Sequence, residues 1–203
     1  MKHFIALTLA LLPMPAIAQA IADLPAAARW QVGVTLIYDP AYVSLDFPAG
    51  DVPLDRGVCT DVIIRAFRQG LGIDLQLAVN RDMKADFAAY PANWGLKTTD
   101  RNIDHRRVPN LQKLFQRAGA ELAVSSDPAD FEPGDLVSYL LPGNLPHIAV
   151  VSDRQAEDGT PLILHNIGAG AREEAGLFAW EMTGHYRMND GALEYLRGIG
   201  GLE

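Results

Sequence analysis

The sequence predicts an α+β fold in which helices come first and a small antiparallel sheet is packed against them. Two observations carry that prediction. Apolar residues recur with helical spacing between residues 59 and 119, and from residue 136 onward short apolar runs alternate with tight-turn sequences. A third sets the scale: the 203 residues hold no detectable repeat and no low-complexity tract, so one domain with a core of ordinary size is expected.

The elements follow in order. Lys2 and His3 precede an apolar run from Phe4 to Leu12, and Ala16-Ile17-Ala18 supplies small residues of the kind a signal peptidase reads. Residues 1–20 are therefore expected to be a cleaved export signal, leaving residues 21–203 as a single periplasmic or secreted domain. No cysteine follows the run, and no later stretch reaches the roughly 18 apolar residues of a spanning helix, so no stable membrane anchor is expected after cleavage. A helix is expected around Leu24 to Val34, although Val34 to Tyr38 reads equally well as extended chain, and Asp39-Pro40 ends it. Residues 41–57 carry Pro48, Gly50, Pro53 and Gly57 and read as loop.

From Cys59 to about Gly70, Val62, Ile63, Ala66 and Phe67 share one helical face, with Arg65 and Arg68 expected toward solvent. Leu75 to Tyr90 reads as a second helix stopped by Pro91, and Val108 to Gly119 as a third with Leu111, Leu114 and Phe115 in a buried stripe. Leu136–Leu141, His147–Ser152 and Pro161–Asn166 each follow a turn, at Glu132-Pro133-Gly134-Asp135, Pro142-Gly143-Asn144 and Asp158-Gly159, and so predict a three-stranded meander. Phe178 to Tyr186 adds a strand, and Ala192 to Arg197 a short helix.

Charge excludes some partners. Without Lys2 the chain keeps 16 basic against 25 acidic side chains, a net charge near −9, which argues against nucleic acid as a partner. Five histidines accompany the carboxylates, but one is His3 and no His-Glu-x-x-His or paired-cysteine spacing occurs, so neither a metal nor any other cofactor is expected.

Cys59 is the only cysteine, and it sits at the start of a helix in a chain read as exported. Oxidising compartments favour paired cysteines or none, so a lone thiol beside helix-end N–H groups points to a nucleophile. Those N–H groups favour a thiolate and suit an oxyanion. Such a nucleophile needs a base and a group that orients it. His147 opens one strand and His165 nearly ends the next, so a sheet lying against the Cys59 helix would present both imidazoles to the sulfur. Alternation sends His165 and Asn166 to opposite faces, so only one of them can orient His147.

The order Cys59, His147, His165, with Gly134-Asp135-Leu136-Val137 before the base strand and His147-Ile148-Ala149-Val150-Val151 as that strand, resembles the NlpC-type branch of the papain-like cysteine peptidases. Within that branch, Arg56-Gly57-Val58-Cys59-Thr60-Asp61, Asn102 to Asn110, His165-Asn166-Ile167-Gly168 and Thr183-Gly184-His185-Tyr186 resemble a group of exported bacterial proteins classed as a domain of unknown function. The resemblance covers roughly residues 50–168. It implies a papain-like NlpC-type fold and hydrolysis of an amide bond in peptidoglycan stem peptides, with Cys59 as nucleophile, His147 as base and His165 as the orienting residue. The sequence departs from NlpC enzymes in carrying Thr60-Asp61 where they usually have Ser-Gly, and in residues 95–110, which lie outside their core.

Asp104, His105, Arg106 and Arg107 form a local basic cluster suited to clamping the carboxylates of a peptide stem, or to an internal salt bridge. Arg56 and Asp61 flank the nucleophile as further substrate-binding candidates, Asp61 being equally suited to capping the helix, and Asn166 joins them. His185 reads as structural. Two other functions fit the same residues: wall binding without catalysis, and a papain-like thiol acyl hydrolase or transferase acting on a lipid or acylated substrate.

Overall fold

The computed structural model describes residues 24–202; the export signal expected over residues 1–20 lies outside the described residues. The fold is α+β. The helices are α1 (Leu24–Arg29), α2 (Cys59–Leu71), α3 (Leu75–Ala85), α4 (Val108–Arg117) and α5 (Asp190–Gly200). Strands β1 (Ile37–Tyr38) and β2 (Arg56–Gly57) form a small parallel pair that leads into α2.

The main sheet has six strands: β3 (Glu121–Leu122), β4 (Leu136–Leu141), β5 (Leu145–Gln155), β6 (Pro161–Asn166), β7 (Ala171–Glu174) and β8 (Glu181–Tyr186), in the order β3-β8-β4-β5-β6-β7. All its pairings are antiparallel. The expected meander is its centre, extended on one side by the β6–β7 hairpin and on the other by β8, which returns to lie beside β4.

Three expectations need correction. The first helix stops at Arg29, after which the chain turns through Trp30 to Val34, with Gly33 in the left-handed region at φ 80°. The helix from Leu75 ends at Ala85, because Asp86 adopts φ −151°, and residues 87–89 form a separate 3₁₀ turn. Arg65 does not reach solvent. Its guanidinium is buried under the loop before α2, bonded to Asp51 at 2.9 and 3.0 Å and to Thr35 Oγ1, Val52 O and Arg56 O.

Alternation along the strands divides the apolar residues into two cores. On one face Leu136, Ile148, Val150, Leu164 and Tyr186 meet Val62, Ile63, Ala66 and Phe67 of α2 and Leu111, Leu114 and Phe115 of α4. Phe67 stacks on Phe115 at 5.6 Å, and Phe115 meets Tyr186 at 5.7 Å. On the other face Val137, Tyr139, Ala149, Val151 and Ile163 are covered by Phe131, Leu177 and Trp180. This second core positions the histidines.

Candidate active site

Cys59 is the first residue of α2, preceded by Val58 in extended conformation. A valine side chain cannot cap a helix, and Asp61 compensates from three residues downstream: its Oδ2 accepts the Val58 N–H at 2.6 Å. Asp61 is held in turn by a two-pronged ion pair with Arg106, both contacts 2.9 Å and both side chains buried. Arg106 also donates to the carbonyls of Asp39 and Ala41 at 3.1 Å, and Thr60 Oγ1 donates to the Arg106 carbonyl. A side chain on Gly57 would come within 3.0 Å of Asp61, so glycine is what lets β2 pass over the cap.

The thiol is buried. Burial pushes it up to about 12, while the N–H groups of Ile148, Thr60 and Cys59 itself pull the other way and the Asp61 carboxylate adds to the rise. The resting sulfur is therefore a thiol, where the helix-end position alone suggested a thiolate. These N–H groups offset part of the cost of developing charge at the sulfur.

His147 and His165 lie on the sheet face away from α2, a correction to the expectation that the sheet presents both rings toward the helix. They pack with Tyr139 and Trp180, the His147 and His165 ring centroids 5.0 Å apart. Cys59 meets β5 at the N–H of Ile148, the residue after His147, whose own ring turns to the other face of the strand. Among the described residues no hydrogen bond joins the sulfur to either ring.

The two rings are hydrogen-bonded to each other. His147 Nε2 lies 2.8 Å from His165 Nδ1, and His165 Nε2 lies 3.0 Å from Glu174 Oε1 on β7. Burial pushes His147 down to about 3, with His165 adding to the fall; His165 also falls through burial, opposed by its bond to Glu174. Both rings are thus neutral, and the chain of contacts sets their tautomers. The Glu174 carboxylate accepts the Nε2–H of His165; Nδ1 of His165 is then an acceptor and takes the Nε2–H of His147, which leaves His147 Nδ1 with its lone pair free. Asn166 points the other way and donates to the Gly57 carbonyl at 2.9 Å, tying β6 to the strand before Cys59.

The remaining sequence candidates separate into scaffold and wall. Asp61 and Arg106 hold each other. Asp104 is buried, accepting from the Asp100 N–H and from Arg107, and burial raises its carboxyl above the usual range. His105 is buried with its Nδ1 unpartnered, and burial, with the Arg106 and Arg68 charges, pushes it down to about 3. Arg56 is half-exposed and pairs with Asp39 at 3.2 Å and with Asp55. His185 is bonded to Asp135 at 2.7 Å and stacked on Phe131 of the second core.

A cavity of about 210 Å³ opens beside Cys59, walled mainly by Tyr38, Val58, Trp94, Ile103, Val108 and Pro146, with Arg106 and Arg107 as its cationic groups. Sequence reasoning missed Tyr38, Trp94 and Pro146, since nothing local marks a residue of a short strand, a loop or a strand end as a cavity wall. It also missed Glu174, although Gly168 and Gly170 after the β6 run signal the hairpin that delivers it.

The comparison with known sequences meets this geometry. Residues 25–188 match a family described as domain of unknown function DUF1287, a span that takes in the Cys59 helix, both imidazoles and Glu174. The chain belongs to the DUF1287 family. It is also 57% identical over 168 residues to the Escherichia coli (strain K12) protein named "Uncharacterized protein YijF", covering 83% of this chain and 80% of that one.

Proposed function

We propose that this DUF1287 domain is an exported cysteine hydrolase, related to the NlpC-type papain-like peptidases, that cleaves an amide bond in peptidoglycan stem peptides. The observation that carries the reading is the Glu174–His165–His147 chain, which supports an imidazole with one committed tautomer and a free Nδ1 lone pair on the strand whose next residue, Ile148, directs its N–H at Cys59. In this reading the scissile carbonyl enters the cavity, His147 Nδ1 takes the thiol proton as Cys59 Sγ attacks, and the proton passes to the leaving amine. The N–H groups near the sulfur stabilise the charge that forms. Water then releases the acyl group with His147 as base. His165 holds the ring orientation and stabilises the transient imidazolium, relayed to Glu174.

Mass spectrometry of purified muropeptides incubated with the mature protein tests the proposal. A product whose mass corresponds to one cut amide, absent with Cys59→Ala, supports it; intact muropeptides with a folded wild-type protein overturn it. One observation favours wall binding without turnover: the thiol and imidazole are both neutral and share no hydrogen bond. That reading requires muropeptide retention on immobilised protein with no product.

A further inference from the structure

Arg107 and Arg106 are neighbours with opposite commitments. Arg106 gives hydrogen bonds to Asp61, Asp39 and Ala41, whereas Arg107 makes one, from its NH1 to Asp104 at 3.0 Å, and keeps its other N–H donors. The Arg107 guanidinium lies 4.0 Å over the Trp94 ring, which orients it and strips water from one face. Arg107 and Trp94 together line both the cavity beside Cys59 and a second cavity of about 110 Å³. The second cavity is walled mainly by apolar groups including Met83, Phe87 and Tyr90, and its polar lining is Asp104, already bonded to Arg107, with Arg107 itself and Asn110. Asn110 is fully buried; its Nδ2 donates to the Asp104 carbonyl at 3.0 Å, which fixes the amide, and its Oδ1 has no partner. A buried acceptor without a donor carries a cost that a ligand N–H removes.

We propose that this second cavity is a specificity subsite for a carboxylate-bearing residue of the peptide held at Cys59, with Arg107 taking the carboxylate and Asn110 Oδ1 accepting an adjacent amide N–H. The inference rests on the reading of Cys59 as the nucleophile of a peptide hydrolase. It names the substrate as an anionic peptide and disfavours an uncharged acyl chain, because desolvated guanidinium donors in an apolar wall select a planar two-oxygen anion.

The test uses the mature chain carrying Cys59→Ala and two probes: a γ-linked alanyl-glutamyl stem tripeptide with a free glutamate α-carboxylate, and the same peptide amidated there. Calorimetric titration should show the carboxylate form binding on the order of tenfold to a hundredfold tighter, the size of one charge-assisted hydrogen-bonded contact. Arg107→Gln should abolish that preference in a protein that keeps the wild-type circular dichroism spectrum at the titration temperature, and Arg107→Lys, which keeps the charge without the fork, should restore part of it. Equal affinity for both peptides, binding of neither, or an Arg107→Gln variant that retains the preference overturns the subsite. Carboxylate-selective binding without product from the wild-type protein keeps the subsite and removes the hydrolase. Turnover indifferent to amidation does the reverse.

Discussion

Replacing Arg106 by alanine is a test of what the basic cluster does. Arg106 and Asp61 are both almost completely buried, and the two-pronged contact is made at 2.9 Å. Arg106→Ala leaves the Asp61 carboxylate in the interior with only the Val58 N–H, and leaves the carbonyls of Asp39 and Ala41 without that donor. Breaking one side of a buried ion pair costs about 3–5 kcal/mol. In a domain of this size each kcal/mol lowers the melting temperature by roughly 2–4 °C, so a fall of roughly 6–20 °C is expected. Urea unfolding followed by circular dichroism gives the free energy directly. Adding Asp61→Asn should recover part of the loss, because the stranded charge disappears while the side chain still accepts from Val58. An Arg106→Ala protein within about 1 kcal/mol of wild type, or a double variant showing the simple sum of two losses, refutes the buried-pair account and returns Arg106 to substrate binding.

Three further outcomes are expected. Iodoacetamide should alkylate native Cys59 slowly at pH 8 and readily after denaturation, since burial holds the folded thiol near 12; rapid native alkylation at pH 7 would show a thiolate the structure does not support. His105 and His147 are both pushed to about 3 and His165 is also lowered, so the folded protein binds fewer protons than the unfolded chain below an ordinary histidine value of about 6.5. Their contribution is complete above that value and is lost as pH falls toward 3; denaturant titrations between pH 7 and 4 should show declining stability, and imidazole NMR resonances that titrate near 6.5 would contradict it. His165→Ala should lower kcat against muropeptides with KM largely unchanged, since an orienting residue acts through the His147 ring. Asn166→Ala should instead cost stability, about 1–3 kcal/mol for the unpaired Gly57 carbonyl, and an exchange of these two phenotypes would reverse their assignments.

What was legible in the sequence followed from periodicity. The stripe Val62, Ile63, Ala66, Phe67 and the stripe Leu111, Leu114, Phe115 mark α2 and α4 because their burial depends on spacing within the helix itself. Alternation likewise sends His165 and Asn166 to opposite faces, as found. Which face each takes was not legible, because it depends on residues 175–180 folding over the sheet to bring Leu177 onto the second core and Trp180 onto the histidines. The fate of the arginines was hidden for the same reason. Arg65 is buried by Asp51 in a Pro- and Gly-rich loop, and Arg106 by Asp61, 45 residues away, and no local pattern encodes either partner. β7 went unseen because Arg172-Glu173-Glu174 is polar at every position, as an edge strand permits.

The place of β8 orders assembly in time. It lies between β3 and β4, yet it follows both in the chain: 65 positions separate Tyr186 from its partner Glu121, and β4 to β7 come between them. During synthesis, β4 to β7 emerge as a ribbon whose β4 edge has unpaired backbone groups, an invitation to pair with another copy. Only when residues 181–186 arrive is that edge sealed, and the same strand carries Tyr186 into contact with Phe115, joining the sheet to the helical core. The domain therefore latches late, and a chain held unfolded until it is fully delivered avoids the interval in which that edge is bare.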